Sequence, residues 1–206
     1  MKITKPKLKN TFPATFKDAI KNDNYSNLNI SGNEEDIKLY DITLDSCIFE
    51  KIDFTRYNID KIDLIDSILN NCDISNINFE NRYIRRIEFN NCKMIGTNFS
   101  NTNFTDISFN NCNLKYINFN KAIIKNIEFI NCDLEEASFM NSEIKDLFFT
   151  NCNLKNSDFY ETSLKNIDLS SCNIENIRID IKNLKGAYVN IEHAIIITNM
   201  LGINVK

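Results

Sequence analysis

The chain has 206 residues and is 43% hydrophobic, which is enough for a real core in one or two ordinary domains. A formal charge of -4 and a pI near 5.2 argue against a dedicated nucleic-acid binder, because duplex affinity comes mainly from Lys and Arg neutralising phosphates. No apolar stretch follows Lys2, Lys5, Lys7 and Lys9, and the aliphatic run Ala194 to Ile197 is too short to span a bilayer, so a cytoplasmic protein with reduced cysteines is expected.

Residues 1–36 have their own character. Pro6 and Pro13 break regular structure, and Ala14 to Lys21 suits a short helix after Pro13. The segment reads either as a cap on the rest of the chain or as a mobile arm carrying four lysines.

From Leu39 onward every fifth residue is large and apolar, thirty-one in succession, ending at Val189. Neither a helical period of 3.6 nor a strand period of 2 keeps every fifth residue on the inside, so the chain must turn once per five residues. Two positions earlier sits a small or aliphatic residue (Ile77, Thr97, Ala122, Ser157), and the position between is usually Asp, Asn, Ser or Glu. Superimposed on this is a period of twenty: Cys72, Cys92, Cys112, Cys132, Cys152 and Cys172. Tyr57, Arg82 and Lys182 occupy the small inward position, where a bulky cation should distort the coil or escape to the surface.

This pattern resembles the pentapeptide-repeat family over about three-quarters of the chain. The resemblance implies an all-β solenoid, a right-handed quadrilateral β-helix in which four pentapeptides make one square coil of twenty residues. Residues 37–189 then form about 7.6 coils, a rod roughly 37 Å long at ~4.8 Å per rung. Counting by twenties separates the faces: Phe79, Phe99, Phe119, Phe139 and Phe159 share one, Phe89, Phe109, Phe129 and Phe149 another, and aliphatic columns lie between. The cysteines become one inward column, best read as small core residues; parallel rungs point their side chains the same way, and no paired CxxC is present.

Residues 190–206 leave the register. Asn190 suits an N-cap, Ile191 to Leu201 a helix, and Gly202 its C′ position before a short strand Ile203-Asn204-Val205. On a helical wheel Ile191, Ala194, Ile195, Ile197 and Leu201 form one stripe, expected to lie on the rod's end. His193, Ile196 and Met200 fall outside it and, with Ile203 and Val205, become the candidate homodimer contacts.

No catalytic, cofactor or metal site is expected. His193 is the sole histidine, and Gly32, Gly96, Gly186 and Gly202 form no phosphate loop. Arg85, Lys125, Lys145, Lys165 and Lys185 form a column with Glu88, Glu128 and Asp168 three residues beyond three of its members. It reads as a charge-compensated corner or, alternatively, a basic stripe. Apolar residues at the normally polar outward position, Ile48, Ile68, Tyr83, Ile123, Phe148 and Tyr188, fall on two adjacent faces and are the candidate partner surface.

Within the family the ending Leu184 to Lys206 is similar to the capping helix and tail of the Qnr-type and MfpA-type topoisomerase-protecting branch. That resemblance implies a rod-like homodimer joined through its C-terminal ends, mimicking duplex DNA, binding DNA gyrase or topoisomerase IV and conferring quinolone resistance. Two features differ: the register never breaks for a projecting loop, and residues 37–189 hold 22 acidic against 17 basic side chains. A general protein-interaction scaffold is the alternative, with no direct nucleic-acid or membrane partner in either case.

Overall fold

A chain can keep every fifth residue inside only by bending every fifth residue, and here it bends through left-handed backbone. In the computed structural model, which describes residues 3–205, Asn71 (φ 54°), Asn76 (58°), Asn81 (59°) and Arg86 (53°) are the four successive corners of one coil. Among the described residues 28 non-glycine positions have such positive φ, and 20 of them are Asn or Asp, the L-residues that visit this region at least cost.

Two adjacent sides of each coil are extended and two are turns. The extended sides carry β3 (Lys38–Asp45), β4 (Ile48–Glu50), β5 (Asn58–Asn70), β6 (Tyr83–Asn90), β7 (Asn103–Asn110), β8 (Ile123–Ile130) and β9 (Glu143–Thr150). All pair in parallel at a register of twenty, as in Leu64↔Ile84, Ile84↔Phe104, Phe104↔Ile124 and Ile124↔Ile144. The other sides are joined by single bridges such as Asp73↔Lys93 and Asn78↔Asn98. The result is the β-solenoid of the sequence reading.

Inside, Phe79, Phe99, Phe119, Phe139 and Phe159 stack with centroids 4.6–5.6 Å apart, and Phe89, Phe109, Phe129 and Phe149 with centroids 4.7–5.3 Å apart. The two columns meet edge to face, Phe119 on Phe129 at 6.1 Å and 71°, the geometry aromatic quadrupoles favour. All seven cysteines are buried and free. Each of Cys92, Cys112, Cys132 and Cys152 donates its thiol to the carbonyl of the central residue one coil back (Leu69, Phe89, Phe109 and Phe129, 3.3–3.4 Å). Thr97, Thr102, Ser142 and Thr162 make the same bond with hydroxyls on other faces, so the small inward position selects a side chain that both fits and satisfies a buried carbonyl.

The N-terminal segment divides in two. Residues 12–31 close the rod's end: β1 (Phe12–Ala14) pairs β2 (Leu28–Ser31), which stacks on β4, so strand pairing begins before the pentapeptide register does. Between them α1 (Phe16–Asn22) starts at a Thr15–Asp18 capping box and drives Phe16 fully inside against Phe49, Phe54 and Tyr57. Tyr57, oversized for its inward position, is used here as part of that plug.

Residues 3–11 instead run back along the outside. Lys7 N–H donates to Asp66 Oδ1 (2.7 Å) and Thr4 N–H to Asp106 Oδ1 (3.2 Å). Asp66 and Asp106 are two coils apart, about 10 Å, which three extended residues span. Ile3, Pro6 and Leu8 are half-buried beneath this strap, and Lys5 reaches Glu88 (3.8 Å).

At the other end α2 (Ile191–Met200) is capped by Asn190, whose side chain accepts from His193 N–H at 2.8 Å. Gly202 (φ 73°) closes it, with Ile203 N–H returning to Thr198 O at 3.2 Å. Residues 203–205 are not a strand, contrary to the sequence expectation, because that return bond turns them off the rod.

Candidate interaction surfaces

The rod's interior is filled by side chains, so recognition falls to its outer faces and its ends. On the C-terminal helix the structure reverses the expected orientation. His193 is 5% exposed and Ile196 packs on the core, whereas Ile191 is 83% exposed and Ala194, Ile195 and Leu201 also face outward. Of the candidate dimer contacts, His193 and Ile196 are thus covered by the chain's own last coil, and Met200, Ile203 and Val205 are exposed. The orientation is anchored at Asn190, which caps the helix by accepting from His193 N–H and ties it to the preceding coil by donating from Nδ2 to Ser170 O (2.8 Å), with His193 and Ile196 toward the last coil. The wheel gave the width of the apolar surface, and only the cap geometry gave its direction.

The candidate partner residues do not form one patch. Tyr83 and Ile123 lie in one outward column, separated by Asn103. Ile48, Ile68, Phe148 and Tyr188 lie in the next, where Ile48 and Ile68 adjoin and are half-buried. Phe148 and Tyr188 meet across a groove of about 380 Å³ that also touches Thr150, Asn166 and Asp168.

Charge is arranged in ladders between coils. On one turn face Lys93 pairs Asp73 (2.9 Å), Lys115 pairs Glu135 (2.7 Å) and Asp133 (3.3 Å), and Lys155 pairs Glu175 (2.9 Å). Glu135 and Asp133 push the Lys115 ammonium pKa up, and Glu175 does the same to Lys155. On the next face Arg178 pairs Asp158 (2.8 Å), and uncharged ladders such as Asn118 to Asn98 to Asn78 fill the rest (3.0 and 2.9 Å). The acids there are interleaved with bases, so these faces carry no continuous acidic stripe.

The lysine column behaves differently. Lys125, Lys145, Lys165 and Lys185 make no ion pair among the described residues, and Glu88 turns to Lys5 of the strap. The left-handed corners Asn126 and Asn166 stand between Lys125 and Glu128 and between Lys165 and Asp168, so each pair is divided between two sides of the coil and the expected compensation does not form.

Beneath the strap lies a buried polar column. Arg86 forms a two-point ion pair with Asp66, and Asn126 donates to Asp106. Burial alone would raise the Asp66 carboxyl, but Arg86 and the Lys7 amide outweigh it and hold the group below the usual carboxylate range. Arg82 escapes its inward position partway to the surface, its Nε donating to Glu80 O (3.3 Å), and Lys182 is fully turned out. In the core, burial pushes the Cys47 thiol up to about 11, a neighbouring thiol of the ladder together with burial raises Cys72, Cys92, Cys112, Cys152 and Cys172, and hydrogen bonds with the Cys112 and Cys152 thiols lower Cys132; all seven are buried among core side chains. No helix is long and apolar enough to cross a membrane among the described residues.

Comparison with known proteins agrees with this architecture. A family model described as "Pentapeptide repeat region" matches residues 42–119 and 102–179. No curated protein matches the sequence. Among solved structures, full-length QnrB1, described as a plasmid-mediated fluoroquinolone resistance protein, aligns over 88% of this chain and 93% of its own at 21% identity and TM-score 0.58. A trypsin-treated variant of QnrB1 aligns over 88% of this chain and 91% of its own at 23% identity and TM-score 0.57. At such identity the likeness is one of fold.

Proposed function

The chain belongs to the pentapeptide-repeat family, and on that footing we propose that it is a non-enzymatic protein-binding rod that dimerises through α2 and engages a type II topoisomerase, DNA gyrase or topoisomerase IV, protecting it from quinolones. The carrying observation is the unpartnered apolar surface of the terminal helix, with Ile191, Ile195 and Leu201 outward on an otherwise filled and polar-faced rod. Exposed aliphatics concentrated at one end fit a second copy in the same pose, which would double the rod. The Qnr likeness supplies the partner class.

A second reading, a scaffold for a different protein, is favoured by the interleaved charges, since duplex mimicry needs acids segregated along a face. A supercoiling assay separates the two. Purified protein titrated against gyrase is expected to restore activity in the presence of a fluoroquinolone or to alter it alone. No effect at a large molar excess over gyrase and over topoisomerase IV would leave the scaffold reading.

A further inference from the structure

The rod's parallel ladder is interrupted in two places, at Ile59 and Lys61 of β5, whose amides do not reach Asn78 O and Glu80 O, and after β9. β8 pairs β9 from Ile123↔Glu143 to Ile130↔Thr150, but β9 is the terminal strand of the sheet although the chain continues for another coil on the same sides. In the coils between these two places the amides of the central residue and of the corner two residues on donate forward to the next coil, as Leu114 does to Asp133 O (2.7 Å) and Tyr116 to Glu135 O (3.0 Å). By that pattern the amides of Ile144, Asp146 and Phe149 should reach the carbonyls of Ser163, Lys165 and Asp168, and none does. Leu164, Asn166 and Leu169 pass their own amides on to Asn183, Gly186 and Tyr188 (2.8–2.9 Å). At the margin of the gap Asn151 N–H is satisfied by the Ser171 hydroxyl (3.1 Å) in place of a main-chain carbonyl.

Side chains register the same opening. Ile144 is the one central residue between Leu64 and Ile179 that is not buried, whereas Ile124, one coil back, is 2% exposed. A cavity of about 440 Å³ lies between residues 144–148 and 163–167, and it adjoins the groove shared by Phe148 and Tyr188. The sequence accounts for the break: Ser163-Leu164-Lys165-Asn166-Ile167-Asp168-Leu169-Ser170 has few of the β-branched and aromatic residues that hold β6 to β9 extended, and it takes the turn form instead.

An exposed strand edge with free amides recruits another strand. The geometry points to a peptide-docking groove at β9, in which a segment of a partner protein adds as a parallel strand that bends opposite the Asp146 corner as β8 bends at Asn126, accepting from the amides of Ile144, Asp146 and Phe149. Its side chains would alternate between apolar groups laid on Ile144, Phe148 and Tyr188 and acids facing Lys145 and Lys165, which have no ion-pair partner among the described residues. An acidic-apolar alternating segment is thus the matching occupant. This site is independent of which partner the rod serves.

The test uses the full chain, residue-resolved amide exchange and two probes, acetyl-Val-Glu-Val-Glu-Val-amide and its Lys-for-Glu counterpart. In the free protein the amides of Ile144, Asp146 and Phe149 are expected to exchange at least about a hundredfold faster than those of Ile124, Asn126 and Phe129. Equal protection of the two sets means that the gap is closed, and overturns the proposal. The Glu probe should then protect the three edge amides, bind at least about tenfold tighter than the Lys probe, and lose that preference in the double variant Lys145→Glu, Lys165→Glu. Phe148→Lys, at an exposed position, should weaken binding with the fold intact. Binding of both probes alike, protection elsewhere, no binding, or edge amides protected by self-association at raised protein concentration would each overturn it.

Discussion

At the scale of single residues the repeat is a negotiation between an inward side chain and a left-handed corner. Asn and Asp solve the corner, and their abundance two residues after each central position was readable in the sequence once the bend was known. The exceptions are informative. Gly96 (φ 66°) relieves a corner where a Cβ would come within 2.7 Å of Asn76 Oδ1. Tyr116 takes the same left-handed conformation (φ 59°) one coil later, although its side chain is 54% exposed and gains little by packing. Tyr116→Asn is expected to stabilise the protein by about 1 kcal/mol. Thermal or denaturant unfolding checks this; a loss of stability would show that the Tyr116 ring packs against the rod more than its exposure implies.

At the scale of elements the N-terminal strap is the piece that sequence reasoning divided between a cap and an arm. Cap and arm are separate stretches of the segment: residues 12–31 plug the end, and 3–11 lie over the Asp66–Arg86 pair. Breaking a buried pair strands its partner, so Asp66→Asn should cost about 3 kcal/mol and free the strap. Trypsin should then cut after Lys7 and Lys9 sooner than in the wild type. The same contact sets an acid limit. The Asp66 pKa is depressed in the folded state, so its contribution is present above the unfolded value of about 4 and is lost as pH falls through the folded value. Strap protection against an acid-active protease should therefore fade below about pH 4 and not between pH 5 and 8.

At the scale of the whole molecule the two ends and the gap beyond β9 decide what the rod can meet. Its turn faces are self-satisfied by Asn ladders and ion pairs between coils, which consume the polar groups that would otherwise solicit a partner there. What remains is the outer face of α2 and the open edge of β9. The α2 face predicts a dimer at twice the 24.0 kDa chain mass in sedimentation. Ile195→Glu, at a 43% exposed position, should convert it to monomer without changing the unfolding midpoint extrapolated to the monomer. His193→Ala, by contrast, should destabilise the C-terminal cap, because that side chain is buried beneath the helix.

The periodic part of this protein was legible in the sequence because a solenoid repeats one local solution: each inward residue meets the equivalent residue twenty positions away, so periodicity is already contact information. Period, coil length, the phenylalanine columns and the buried cysteine ladder all follow from spacing alone. What lay beyond the sequence is whatever depends on one element meeting a different one. The direction α2 faces was anchored by the Asn190 bond to Ser170 O, the strap by carboxylates 59 and 102 residues from its own amides, and the β9 opening by a coil whose turn form left its neighbour's amides without acceptors. The helix and strap partners are not related by the repeat, so no count along the chain could have paired them; at β9 the count names the partner and only the structure shows that the bonds fail to form.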